Sequence, residues 1–571
     1  MVQEKTPFGV NLTKRVVSPG GEKELFYLHK IGKSGEVELV DYMGGDRSVE
    51  YAATLGIGKG IFKEKPGQKE FIGYLAKNKI DSPFKSVQLK FSIQSSIRSA
   101  LSFVYDSNCS VNEYSGRYSE MLDTSYSPGL EKIVGMLGEK DFSKAKIFLE
   151  KLENLRKESL LDYKELISPN IDMARELARG GLGINNDTRY YWKMDLPSLA
   201  SFVKKYDAIL SKDDPTRGFL ENISSIASGV APLSWDALMN GYSENVNLTM
   251  PKDEEIVDGD LSSPWWGSQK TKRITVPDFD KSLFKIVPFL DHGQFMPIDY
   301  MGDDSSFAQA ARTSYGKGTK TLTDDNKLVD SLIRDLHTSP VEMSEISFMT
   351  RAPVFTDPRQ FGRHRTLDNS GFMGYTPIGN KYYFPDDSQF KHQDKLNRQG
   401  RGKEMDEPER GVAKRLVKRS LERELKAAKE FRKMEAPEEV IRDIKGVSFY
   451  TKRWRTGDIH NLQHMLGLRW DGHAQYEIRV LAEVIAGAHK MHTPNAYNSF
   501  IMHNKEGMKL SSKEVDWIKN NKMIISEINP EDIFLYKNVP GFTFESKKNN
   551  EEKLGREGKA AQSKLKRFLG K

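Results

Sequence analysis

Three stretches of this chain hold residue types that could do chemistry. The first is FGRHRT, Phe361 to Thr366, preceded by Arg359 and Gln360. Arg363, His364 and Arg365 repel one another unless an anion shares them, and a guanidinium fork matches two phosphate oxygens at once. In an extended segment Arg363 and Arg365 point one way and His364 the other, so one segment can serve two ligands or two parts of one. A solvated basic trio is the alternative. The second stretch is SVNEYSGRYSE, Ser110 to Glu120. Ser115, Gly116 and Arg117 give a hydroxyl, a bare backbone and a guanidinium in succession. Without a Cβ, Gly116 lets the main chain approach a phosphate closely enough for its amide to bind it. A turn between two helices is the alternative. The third stretch, DIHNLQHMLGLRWDGHAQYEIR from Asp458, sets His460 and His464 one helical turn apart, a spacing that can bind a metal. No Glu follows His460 in the HExxH manner and no third ligand is evident, so no metal is expected. GIGKG at Gly56 lacks full GxGxxG spacing and reads as a structural turn. The single cysteine, Cys109, has no adjacent histidine to activate it.

The elements that must position these residues come from a duplication. DYMGGDRSVEYAATLGIGKG, from Asp41, is answered by DYMGDDSSFAQAARTSYGKG, from Asp299, 258 residues later. DSPFKSVQLKF from Asp81 likewise answers TSPVEMSEISF from Thr338. A repeat of this period means two domains, not a solenoid. Each copy opens with strand-like segments, VELVDY and VQLKFSI in the first, FMPIDY and EISFMT in the second. Longer helical patterns follow, including a charged helix over 408–435 with opposite charges at i,i+4. Asp458 is placed to cap a helix through IHNLQHML, which Gly467 weakens. Asp471 can cap the next helix, where Ala474, Ile478, Leu481 and Ile485 share a face. Leu468 and Arg469 are therefore expected at a helix break, where side chains can turn toward a ligand. The fold class expected is α/β (α+β): two tandem domains, each a mixed sheet packed with long helices. The boundaries read as an N-terminal arm over 1–28, domain one over 29–245, a linker over 246–283, domain two over 284–510 and a C-terminal extension over 511–571. The copies diverge where chemistry is expected. Tyr105, Asp106 and Ser107 face Arg363, His364 and Arg365, while Met373, Gly374 and Tyr375 face Ser115, Gly116 and Arg117.

Composition narrows the class. With 37% hydrophobic residues over 571 positions there is ample core for two large domains. No run approaches the ~18 apolar residues of a membrane span. The N-terminus lacks an apolar signal core, and one cysteine cannot form an intrachain disulfide, which fits a reducing cytoplasm. A net charge of +7 is mild for this length. It can steer anionic ligands, but no recognised nucleic-acid-reading module accompanies it, and the charged tail reads as solvated.

Taken together the segments resemble the flavin-dependent thymidylate synthase, or ThyX, family. One hallmark of that family is RQWxRHRxxSxNExSxRYSE; another is DLHNLxHFLxLRxDxHAQxEIR. The second copy supplies RQFGRHRT and the second hallmark almost unchanged, with AARTSYG and LHTSPVE resembling the family's AARVSYG and RHTSPFE. The first copy supplies SVNEYSGRYSE and ARELAR. The resemblance spans most of both copies. It implies a homotetramer-like assembly with each active site built between subunits. The FAD pocket would come from the second copy: Ser314, His337, Thr338, Glu342, Arg363, His364, Arg365, Thr366, Asp458, His460 and His464. Asp458 stands where some members have Asn. The nucleotide dUMP would lie between Gln360, Arg363 and Arg469 of one copy and Glu113, Ser115, Gly116 and Arg117 of the other. The family's ELAR arginine is kept in both copies, as Arg179 and Arg442, and Arg179 is favoured because it travels with the SGR-bearing copy.

The first copy cannot hold flavin by these rules. Ile80, Asp81 and Lys85 replace His337, Thr338 and Glu342, and Pro197, Ser201 and Tyr206 replace His460, His464 and Arg469. Gly371 stands opposite Glu113, so the family's glutamate survives only in the first copy. The activity implied is conversion of dUMP to dTMP with NADPH and methylenetetrahydrofolate as co-substrates. Ser115 would bind and not attack, and Arg469 would stabilise charge on the uracil ring. Two chains would form a homodimer equivalent to the tetramer. Alternatives are one-carbon transfer to another pyrimidine nucleotide, a hydroxymethylated product, or an inactive nucleotide-binding scaffold. The complementary losses favour retained activity. Sites within one chain and sites between chains are both open.

Overall fold

The computed structural model describes residues 28–54, 68–105, 109–116, 119–137, 142–210, 214, 216–241, 276–313, 322–357, 381–393, 401–434 and 446–507. Residues up to 495 form one compact unit that holds both repeats, and residues from 496 form a second. Over 496–507 the second unit is helical and closes on a π-helical turn, Ile501–Lys505.

In the first repeat β1 (His29–Ile31), β2 (Gly35–Met43), β3 (Gln88–Ser96), β4 (Ser110–Glu113) and β5 (Asp187–Asp195) form a sheet in the order β1-β2-β3-β5-β4. In the second, β6 (Val287–Phe289), β7 (Gly293–Met301) and β8 (Glu345–Pro353) join β11 (Tyr450–Asp458) in the order β6-β7-β8-β11. Between them in sequence, β9 (Lys391–Gln393) and β10 (Arg401–Glu404) make a separate pair. The class is the α/β arrangement expected, and every pairing among these strands is antiparallel. A second-repeat counterpart of β4 would fall in 358–380, outside the described residues.

The central strands β3 and β8 are buried on both faces, for two different reasons. On β3, Leu89, Phe91 and Ile93 enter the first repeat's core with Tyr190 and Trp192 of β5 and the helices Leu196–Ile209 and Arg217–Val230. The alternate residues, Gln88, Lys90, Ser92 and Gln94, are polar yet equally buried. Strand alternation sends them to the opposite face. From there Lys90 reaches the second repeat.

Each repeat's first helix also packs against the other repeat, while Val49 and Ala53 of the first stay in their own core. Tyr51 and Ala52, on the helix Asp46–Thr54, pack with Met296, Ile298, Met349 and Trp454. The Tyr51 and Trp454 rings meet edge to face at 5.5 Å. Ala310, on the equivalent helix Asp304–Thr313, packs with Val40, Tyr191 and Met343.

A reciprocal pair of carboxylates joins the repeats. Each β2-type strand has a bulge just before its aspartate, between Leu39 and Asp41 and between Pro297 and Asp299. A bulge re-aims the following side chain. Asp41 Oδ2 accepts from the Gly302 amide at 2.7 Å, and Asp299 Oδ2 accepts from the Gly44 amide at 3.0 Å. Gly44 and Gly302 have φ of +79° and +74°, and a Cβ at either would meet a backbone carbonyl of its own repeat, Ser86 or Met343. Asp41→Ala would strand a buried amide donor, at a cost of ~1–3 kcal/mol. Urea unfolding is expected to show that loss, with a similar one for Asp299→Ala.

Behind Gly302 lie two buried histidines. His492 Nε2 donates to the Gly302 carbonyl at 2.9 Å, and His489 contacts Gln463 and Thr493. Burial pushes His492 down to about 4, and burial together with the His492 charge pushes His489 down to about 3. Unfolded histidines take up protons near 6.5, whereas these native ones do not until the pH is far lower. Their stabilising effect is therefore complete above pH ~6.5 and is lost as pH falls toward 4, at ~1.4 kcal/mol per unit for each. Denaturation midpoints measured across that range are expected to drop, and His492→Gln is expected to flatten the drop.

Candidate active site

The site is built on β4, the edge strand of the first sheet. Its register sets Ser110 opposite Lys193 and Asn112 opposite Tyr191, so these four share one face. That face meets the TSPVE segment of the second repeat in the same chain. Asn112 Nδ2 donates to the Ser339 carbonyl at 2.8 Å, and Ser339 Oγ lies 3.2 Å from Asn112 Oδ1. Ser110 faces the Glu342 carboxyl and acts to lower it. Lys193 Nζ sits 3.0 Å from Glu345 Oε2, with both side chains almost fully buried. Lys90, beside Lys193 on β3, donates to the Met343 carbonyl at 3.0 Å.

The turn that presents Thr338 and Glu342 is fixed locally. Leu336 adopts a left-handed φ of 58° and the His337 amide bonds back to Leu332. The Thr338 carbonyl then accepts from Val341 and Glu342, starting the short 3-10 helix Val341–Met343. His337 is exposed, while Thr338 and Glu342 are half-buried. Burial raises the Glu342 carboxyl and Asp458 raises it further, against Ser110 and the charges of Lys193 and His460. Asp458 caps the helix Ile459–Arg469 as expected, its Oδ1 accepting from the Asn461 amide at 2.9 Å. Ile459, Leu462, Met465 and Leu466 of that helix are buried, while His460 is half-buried and His464 exposed on the remaining surface.

The nucleotide-side residues cluster at the far end of β4. Glu113 points to the opposite face from Asn112, where Thr188 Oγ1 donates to it at 2.9 Å. Its carboxyl is raised by burial, against the Thr188 bond and the Arg179 charge. Gly116 abuts Arg179: a Cβ there would lie 3.1 Å from Arg179 Cδ. Arg179 itself is exposed in the 3-10 turn Arg179–Gly181, and Ser115 begins the turn toward Ser119. Glu113, Gly116 and Arg179 thus come together, which bears on the choice between Arg179 and Arg442. Arg117, Ser314, Gln360, Arg363, His364, Arg365, Thr366 and Arg442 lie outside the described residues.

One local expectation holds and one changes. The helix runs past Gly467 through Leu468, held by its buried face on Leu462, Met465 and Leu466, and ends at Arg469, where the break is expected. Asp471 does not cap the next helix. That helix, Tyr476–His492, starts after Gln475, and the Asp471 carboxylate instead closes a local turn on the His473 amide at 2.8 Å. Among the described residues no group of three or more His, Cys, Asp and Glu side chains is placed to hold a metal.

The first repeat's equivalents show what was lost. Asp195 caps the helix Leu196–Ile209 as Asp458 caps its own. Pro197 has no donor to offer, and the Ser201 hydroxyl turns back to the Pro197 carbonyl at 2.9 Å. Tyr206 has joined the core, its ring 4.6 Å from Phe202. At the equivalent positions the second repeat has His460 and Arg469 half-buried and His464 exposed. The cross-repeat residues Ser110, Asn112, Lys193, Ser339 and Glu345 were not legible as site residues. The one available signal was a charge inside an apolar strand, at Lys90 and Lys193.

The profile of the thymidylate synthase complementing protein family matches residues 38–211 and again residues 298–495. The chain belongs to that family. Flavin-dependent thymidylate synthases of Rickettsia prowazekii and Wolbachia pipientis are 38% and 37% identical over 265 and 254 residues, each match covering 44% of this chain and 89% of the relative. Family members of that kind are one repeat long, and this chain carries two. A UMP/dUMP methylase from Streptomyces cacaoi, solved with 5-Br dUMP, is 25% identical, covering 38% of this chain and 97% of that one with a TM-score of 0.35. Among the described residues no helix is long and apolar enough to cross a membrane.

Proposed function

We propose that the chain is a flavin-dependent thymidylate synthase in which the two repeats of one chain share one active site. The second repeat, 284–510, is the flavin-bearing half and the first, 29–245, the nucleotide-phosphate half. The observation that carries this reading is the seat of Ser339 on Asn112, with Lys193 paired to Glu345 beside it. β4 then leads directly to Ser115, Gly116 and Arg117, which only the first repeat retains.

His337, Thr338, Glu342, His460 and His464 would hold FAD, together with Ser314 and the Arg363 to Thr366 segment. The flavin, when bound, supplies the hydride that turns the one-carbon unit of methylenetetrahydrofolate into a methyl group, with NADPH as the reductant. The protein's part is orientation and electrostatics. Arg117, the Gly116 amide and Arg179 would take the dUMP phosphate, with Gln360 and Arg363 fixing the base side. Arg469, at the open end of its helix, would stabilise the negative charge that develops on the uracil ring. Two chains would assemble as a homodimer with two complete sites, since fusion frees the interfaces from being alike. Incubation with dUMP, methylenetetrahydrofolate, NADPH and FAD, followed by mass analysis of the nucleotide, is expected to yield dTMP. A hydroxymethylated nucleotide, or turnover of UMP alone, would replace this reading.

A further inference from the structure

The strongest unassigned feature is a buried charge cluster that exists on one side of the repeat pair only. Lys193 of the first repeat is paired with Glu345 of the second at 3.0 Å, with side-chain exposures of 5% and 6%. The strand registers give the counterparts across the pair: Lys193 corresponds to Thr456, and Glu345 to Gln88. Thr456 bonds the hydroxyl of Ser347, itself the counterpart of Lys90, at 2.8 Å and accepts from Trp454 Nε1 at 3.0 Å. So the half that has lost the flavin residues has two buried lysines where the flavin half has neutral hydroxyls. Both lysines reach across to the segment that carries Glu342.

We infer that Lys193 is a positioning residue for the flavin site: locked on Glu345, it supplies the counter-charge that holds Glu342 and the helix-capping Asp458 in place. This rests on the flavin-dependent reading above. A buried ammonium needs such partners, since an unpaired one is strongly disfavoured. Glu345, Asp458 and Glu342 all act on Lys193 and carry it up against the opposing effect of burial. Glu342 in turn is raised by burial and by Asp458, against Ser110, Lys193 and His460, which lower it. Lys90 stands next to Lys193 and is lowered, by burial first and by Lys193 as well, with Asp41, Asp303 and Glu345 offsetting only part of this. Without Lys193 two neighbouring carboxylates would share the site with no cation beyond His460 and Lys90, and one would take up a proton closer to neutrality.

The informative variant is Lys193→Thr/Glu345→Gln, which copies the arrangement already present across the pair and strands no charge. It is compared with Lys193→Arg and with wild type by thermal unfolding and by FAD titration of the protein from pH 5.5 to 8.5. The double variant is expected to unfold like wild type, bind FAD roughly tenfold more weakly near neutrality, and shift the pH midpoint of FAD binding upward by about one unit. Lys193→Arg is expected to restore both affinity and midpoint. A folded double variant with wild-type affinity and midpoint would overturn the role. Wild type that binds no FAD at any pH would instead overturn the flavin reading itself.

Discussion

Chains carrying Arg117→Ala and chains carrying Arg365→Ala, produced together, are expected to remain as impaired as either alone. Each change removes charge-assisted bonds to a phosphate, ~1.5–3 kcal/mol, so each variant should lose about 10–10² in kcat/KM. The described residues that precede each arginine are held within one chain, by separate contacts. Arg117 follows β4, whose Asn112 bonds Ser339. The Arg365 segment follows Asp357, which is fully buried and paired with Arg455 of β11. If the site is completed within a chain, every site in the mixture carries one defect. If it were completed between chains, mixed pairs would contain one intact site in two, and activity would return to about a quarter of wild type. Such recovery would contradict an intra-chain site.

Arg469→Ala is expected to lower kcat by about 10²–10³ while FAD remains bound, the usual effect of removing one donor aimed at developing charge. Arg469 ends the helix Ile459–Arg469, whose inward face is fully packed, so its loss leaves that packing intact. The first repeat shows the other fate of the position, because Tyr206 there is part of the core. Loss of flavin together with activity would instead make Arg469 a support of the cofactor pocket.

Much of this was legible in the sequence because the duplication printed each element twice. Asp41 and Asp299 marked equivalent strands, and Asp195 and Asp458 cap equivalent helices. What could not be read was the surface between the repeats. VQLKFSI alternates like a strand with one wet face, yet its polar residues are buried, because the wet face is where the other repeat lies. The packing of each first helix across the pair was hidden for the same reason: Tyr51 and Ala52 are periodic in their own helix whichever sheet they cover. The Asp471 turn was missed because its carboxylate has a nearer donor, the His473 amide, than the helix it precedes.

The division of roles between the repeats is tested most directly by counting flavin. Protein freed of flavin, then saturated with FAD and separated from excess, is expected to hold one FAD per chain, all of it lost in His337→Ala/His464→Ala and none of it in Arg117→Ala. Two FAD per chain would contradict the account, since the first repeat, with Pro197, Ser201 and Tyr206, would then be holding flavin with residues that offer it nothing.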